Sequence, residues 1–185
     1  MSAALKRPAA REEFLAWEEQ QDLRHEFDGV DVVAMTGGTW AHGVIQANLA
    51  VAVGRRLRGT ACRFVGNDVK ISTRHGYRYP DGFVACTSAP NISTVFNEPI
   101  VLFEVWSPST VSGDLITKNL EYLAIPSVRR YVQLAADLVG AVVFERAGED
   151  WVGHVVAGDA VLRLPEIGIE LPLSELYEGL SFTPG

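Results

Sequence analysis

"PIVLFEVWS", residues 99–107, is the stretch on which the fold turns. Apart from Glu104, everything from Ile100 to Trp106 is apolar. A run that apolar on both of its alternating faces belongs at the centre of a sheet covered on each side, which is the setting of an α/β fold. Upstream, "GGTWAHGVIQANLAVAVGRRLRG" (37–59) carries Val44, Ile45, Leu49, Val53 and Leu57 at helical spacing. Thr39 is placed to cap that helix and Gly59 to stop it. Downstream, "VSGDLITKNLEYLAI" (111–125) reads as a second helix, with Ser112 as cap, Asp114 in the first turn and Pro126 beyond its end.

The flanks add mostly strands. Residues 10–20 read as a short amphipathic helix, and "HEFDGVDVVAM" (25–35) as a hairpin turning at Asp28-Gly29. "CRFVGNDVKIST", "YRYPDGFVAC", "RRYVQLA", "LVGAVVFERA" and "WVGHVVA" are further strand patterns, and "LPLSELYEGL" a short closing helix. The order predicts a mixed central β-sheet flanked by helices, with an antiparallel extension towards the C-terminus, as one domain over residues 1–185.

Composition narrows the function classes. With 48% hydrophobic and 21% charged residues the chain is globular rather than disordered. No apolar run approaches the roughly 20 residues that span a bilayer, so no membrane role is expected. The N-terminus has no apolar core of signal-peptide length, which points to the cytoplasm. Cys62 and Cys86 lack metal-binding spacing and are expected as reduced thiols, a single bridge being the alternative. The net charge of −7 argues against a protein that coats nucleic acid. Yet Arg55, Arg56, Arg58, Arg63, Lys70, Arg74 and Arg78 fall in one stretch opposed only by Asp68. That stretch is either a solvated basic face or one that meets phosphates.

Glu104 carries most of the chemical information. An unpaired carboxylate buried there would cost several kcal/mol, so it calls for an ion pair or a metal. Asp81, in "YPDG", lies 23 positions earlier, a spacing that fits one strand, a loop and the next strand. Pro-Asp-Gly is also an ordinary turn signal. Two acids brought together from neighbouring strands would repel unless a divalent cation sat between them. Mg²⁺ or Mn²⁺ suits one or two carboxylates completed by water. Lys118, on the second helix, either makes an exposed pair with Asp114 or reaches back over the strand end. There is no GxSxG elbow, so Ser107 and Ser109 read as turn and cap residues. No phosphate-binding loop appears, and the histidines and cysteines make no zinc spacing.

"YPDGFVAC" and "PIVLFEVWSPSTVSGDLITKNLEYLAIPSVRRYVQL", with "RHEFDGVDVVAM", "HGVIQANLAVAV" and "GIELPLSELYEGL", resemble the Uma2 (DUF820) family. These are restriction-endonuclease-like relatives of the PD-(D/E)XK nuclease superfamily. The resemblance covers nearly the whole chain and implies a sheet core with its site at one end of the central strands. It implies that Asp81, Glu104 and the carbonyl of Val105 ligate Mg²⁺ or Mn²⁺. The superfamily's lysine normally stands two residues after the glutamate, where this chain has Trp106; Lys118 takes its place from the helix. Glu26 and His42 fall where the family tends to carry an acidic residue and a histidine. Where such proteins often read "YWLVDP", this one has "YVQLAA". The implied activity is metal-assisted hydrolysis of phosphodiester bonds in DNA by a homodimer, with Arg55, Arg56, Arg58, Arg74 and Arg78 guiding the backbone. The alternative is a catalytically inactive nuclease-fold protein that serves as a binding or assembly module.

Overall fold

A computed structural model describes residues 8, 10–35, 37–106 and 112–182, with the backbone alone described for 112–115. Chain order runs α1 (Arg11–Glu18), β1 (His25–Phe27), β2 (Val32–Ala34), α2 (Trp40–Arg56), β3 (Arg63–Gly66), β4 (Lys70–Ser72), β5 (Tyr77–Arg78) and β6 (Gly82–Ala85). It continues with β7 (Val95–Phe96), β8 (Val101–Trp106), α3 (Ser112–Leu123), β9 (Arg130–Ala135), β10 (Gly140–Ala147), β11 (Asp150–Ala157), β12 (Val161–Leu164) and β13 (Ile169–Pro172). The closing helix is a 3₁₀ turn over Leu173–Tyr177.

The strands make a six-stranded sheet in the order β11-β10-β9-β8-β6-β3, a five-stranded sheet β2-β1-β5-β4-β7, and the pair β12-β13. The mixed α/β character is as expected, but the single central sheet is divided in two. Within the larger sheet β8 and β9 are parallel. Parallel neighbours cannot be joined by a tight turn, and α3 supplies the crossover. The remaining pairs of that sheet are antiparallel.

Alternation along β8 sorts its side chains. Val101, Phe103 and Val105 pack with Ile45, Leu49 and Val53 of α2 in one core cluster. Leu102 packs on the other side with Tyr122 and Ile125 of the α3 region. Glu104 shares the parity of Leu102 and therefore faces α3. Thr39 caps α2 as expected, its hydroxyl accepting from the His42 N–H at 3.3 Å. The pair β12-β13 and the two-residue β7 have weaker patterns and escape the sequence reading.

Two expectations are overturned. Cys62 and Cys86 are joined by a disulfide rather than held as thiols. They stand opposite each other one step beyond the Arg63↔Ala85 pair of β3 and β6, and so meet by register. Cysteine usage thus no longer argues for a reducing compartment. Arg78, placed by its sequence neighbours on a basic face, is 1% exposed. Its Nε donates to Glu121 at 2.6 Å and its Nη1 to Glu26 at 3.2 Å, leaving it no reach to a phosphate backbone. No helix among the described residues is long and apolar enough to cross a membrane.

α1 is fastened by charge as well as by Phe14. Lys70 Nζ lies 2.6 Å from Glu18 Oε2 and 3.0 Å from the Tyr79 hydroxyl, all of it buried. Removing one partner of such a pair leaves an uncompensated charge. Glu18→Ala is expected to lower unfolding stability by about 3 kcal/mol, read from the urea midpoint. A loss of a few tenths would show that the pair contributes little.

Candidate active site

The ladder between β6 and β8 ends at Gly82↔Phe103. One further step in that register would set Asp81, just before β6, opposite Glu104, two residues inside the end of β8. Strand neighbours directly opposite lie about 5 Å apart, and like charges there are unfavourable. The two carboxylates are held by different elements. Asp81 is held from the α2 side: Gln46 Nε2 donates to its Oδ1 at 2.6 Å and His42 Nε2 lies 3.2 Å from its Oδ2. The Val105 N–H also donates to Oδ2, at 2.6 Å. Glu104 is held from the α3 side by the Tyr122 hydroxyl, which donates to Oε1 at 2.7 Å.

Lys118 sits one helical turn before Tyr122 on α3. Its Nζ lies 3.2 Å from Glu26 Oε2, with the lysine side chain 16% exposed. Asp114, the alternative partner four residues earlier, has its side chain outside the described residues, as do Ser107, Ser109 and Ser112. Glu26 reaches Lys118 from β1 of the second sheet while accepting from Arg78 and from the Tyr79 N–H at 3.0 Å.

A cleft of about 580 Å³ opens here, lined by His42, Gln46, Tyr79, Asp81, Glu104, Val105 and Lys118 among others. The sequence reading named five of these. Glu26 stands behind Lys118 instead of lining the space. Gln46 and Tyr122 were missed. The available signal for Gln46 was its spacing: it follows His42 by four residues, on one helix flank.

Burial pushes the Glu104 carboxyl up to about 8, against the Lys118 charge; Asp81 and Glu26 add to the rise and the Tyr122 hydrogen bond opposes it. His42 is raised chiefly by its hydrogen bond to Asp81, with burial opposing. The basic stretch does not gather at the cleft. Arg55 and Arg56 both pair with Glu175, at 2.6 and 2.7 Å, and Lys70 with Glu18. Arg58 and Arg74 are exposed.

The sequence profile of Uma2, described as "Putative restriction endonuclease", matches residues 11–174. The chain belongs to the Uma2 family. An uncharacterized protein of Synechocystis sp. is 31% identical over 175 residues, covering 92% of both chains. A crystal structure from Anabaena variabilis, titled a "putative nuclease belonging to DUF820", superposes with a TM-score of 0.77 at 15% identity. It covers 92% of this chain and 98% of that one. At that identity the likeness speaks for the fold, here the Uma2 fold.

In cation-free solution the raised Glu104 carboxyl has a measurable consequence. The folded protein keeps this proton up to about pH 8, while the unfolded chain releases it near 4.5. The folded state thus binds more protons in that window, so stability falls as pH rises through it. Urea unfolding in chelator at pH 5 and pH 8 is expected to show this fall, and Glu104→Gln to reduce it. Equal slopes for both proteins would contradict the assignment.

Proposed function

We propose that this cleft hydrolyses phosphodiester bonds of DNA with the help of Mg²⁺ or Mn²⁺. The observation that carries the reading is convergence: Asp81 from the turn before β6, Glu104 and Val105 from β8, and Lys118 from α3 line one polar cleft. The donor chemistry fits a hard cation. Two carboxylates and a backbone carbonyl are oxygen donors, and the His42 imidazole is engaged with Asp81. Among the described residues no group of three or more His, Cys, Asp or Glu is arranged as a metal cage. Mg²⁺ is commonly held by one or two carboxylates plus water and substrate phosphate, so this set suffices.

Asp81, Glu104 and the Val105 carbonyl would hold the ion. Bound there, it supplies Lewis acidity toward the scissile phosphate and a more acidic water. Lys118, anchored by Glu26, presents an ammonium that offsets negative charge developing on the phosphate. An ammonium fixed against a carboxylate suits that electrostatic duty better than proton abstraction. Tyr122 fixes one oxygen of Glu104 by donating to Oε1, which limits the orientations open to the carboxyl. Cleaving both strands of a duplex calls for two such clefts, so a homodimer is part of the proposal. Backbone guidance rests on the exposed Arg58 and Arg74, helped by Arg55 and Arg56 to the extent that Glu175 leaves them.

A second reading, a nuclease-fold binding module without catalysis, is favoured by the net charge of −7 and by Trp106 at the superfamily's lysine position. Plasmid nicking separates the two. The native protein is expected to nick in Mg²⁺ or Mn²⁺ and to stop in chelator. Asp81→Ala and Glu104→Ala should each lower the rate by at least about 100-fold. Equal nicking by all three proteins would mark a contaminant and remove the catalytic reading of this cleft.

A further inference from the structure

We propose that Gln46 is a positioning residue that holds the Asp81 carboxylate in its ligating orientation, an inference resting on the cation-dependent reading above. Asp81 lies outside the β6–β8 ladder, whose last pair is Gly82↔Phe103, so strand pairing does not orient its side chain. Side-chain and backbone donors do. Val105 N and His42 Nε2 both address Oδ2, at 2.6 and 3.2 Å. Gln46 Nε2 addresses Oδ1 at 2.6 Å, the one hydrogen bond to that oxygen among the described residues. Without it the carboxylate is tethered through a single oxygen and can pivot about it.

The count of lone pairs gives the arrangement its meaning. An ionised carboxylate offers about four acceptor directions. Three are taken, which leaves Asp81 to meet a cation through one. That is the shared-ligand habit of Mg²⁺, which keeps several waters. An amide is suited to the task because it donates without adding charge. A lysine would repel the ion, and a carboxylate would compete with Asp81 for it. Gln46 does not need to touch substrate to act; it acts through Asp81.

Two measurements test this on the full chain: calorimetric titration with Mn²⁺, and crystal structures grown without divalent ions, each for the native protein and Gln46→Leu. Leucine is a good helix former and approximates glutamine in size, so the half-buried site should tolerate it. Gln46→Asn, too short to reach Asp81, carries the same test if the leucine variant does not fold. The expected result is Mn²⁺ affinity lower by about 10- to 100-fold, with the Asp81 carboxylate turned from its native orientation in the metal-free crystal. Native affinity in the variant, or an unmoved Asp81, would overturn the role. If the native protein binds no Mn²⁺, the cation reading fails, while the crystal comparison still decides whether Gln46 orients Asp81.

Discussion

Burying a carboxylate in the most enclosed strand of a sheet is expensive, and the site is arranged around that cost. Glu104 is 9% exposed inside β8, between the buried apolar Phe103 and Val105. Within the strand it meets water only through the cleft. Everything that relieves it must therefore come to it: the Tyr122 hydroxyl, the Lys118 charge and a space that opens at the strand end. The parallel pairing of β8 with β9 forces a crossover, and that crossover is α3. The same topological necessity thus delivers Lys118 and Tyr122, one turn apart, to the face of β8 that holds the acid.

A second set of charges joins the two sheets. Glu26 of β1 contacts Arg78 of β5 and Lys118 of α3, and Arg78 also binds Glu121 of α3. Pairing of this kind offsets the desolvation of each member without adding much net stability. Its structural effect is to fix Lys118 relative to the smaller sheet, so that the ammonium has a defined place at the cleft. Arg78 is thereby a structural cation.

Local pattern made some of this legible. The apolar run of β8, the Thr39 cap and periodicity of α2, and the Asp28-Gly29 hairpin are signals written within a dozen residues or so. Asp81 and Glu104 were legible because each breaks or punctuates such a pattern, and Lys118 through the family resemblance. What stayed hidden depends on partners far along the chain. The basic stretch looked unopposed since its counter-ions, Glu18, Glu26, Glu121 and Glu175, come from distant segments. The disulfide follows from the register of β3 on β6, and the hold of Gln46 on Asp81 spans 35 positions. No local pattern encodes a meeting of that kind. The division into two sheets was hidden as well: "CRFVGNDVKIST" and "YRYPDGFVAC" each read as one strand pattern, and each supplies one strand to either sheet.

The proposed activity requires one cation shared by Asp81 and Glu104, which line the same cleft. A crystal soaked in Mn²⁺ and measured at an anomalous wavelength tests it most directly. One anomalous peak is expected in the cleft, within coordination distance of Asp81, Glu104 and the Val105 carbonyl. A well-ordered soaked crystal with no peak there, or with manganese bound only elsewhere, would contradict it.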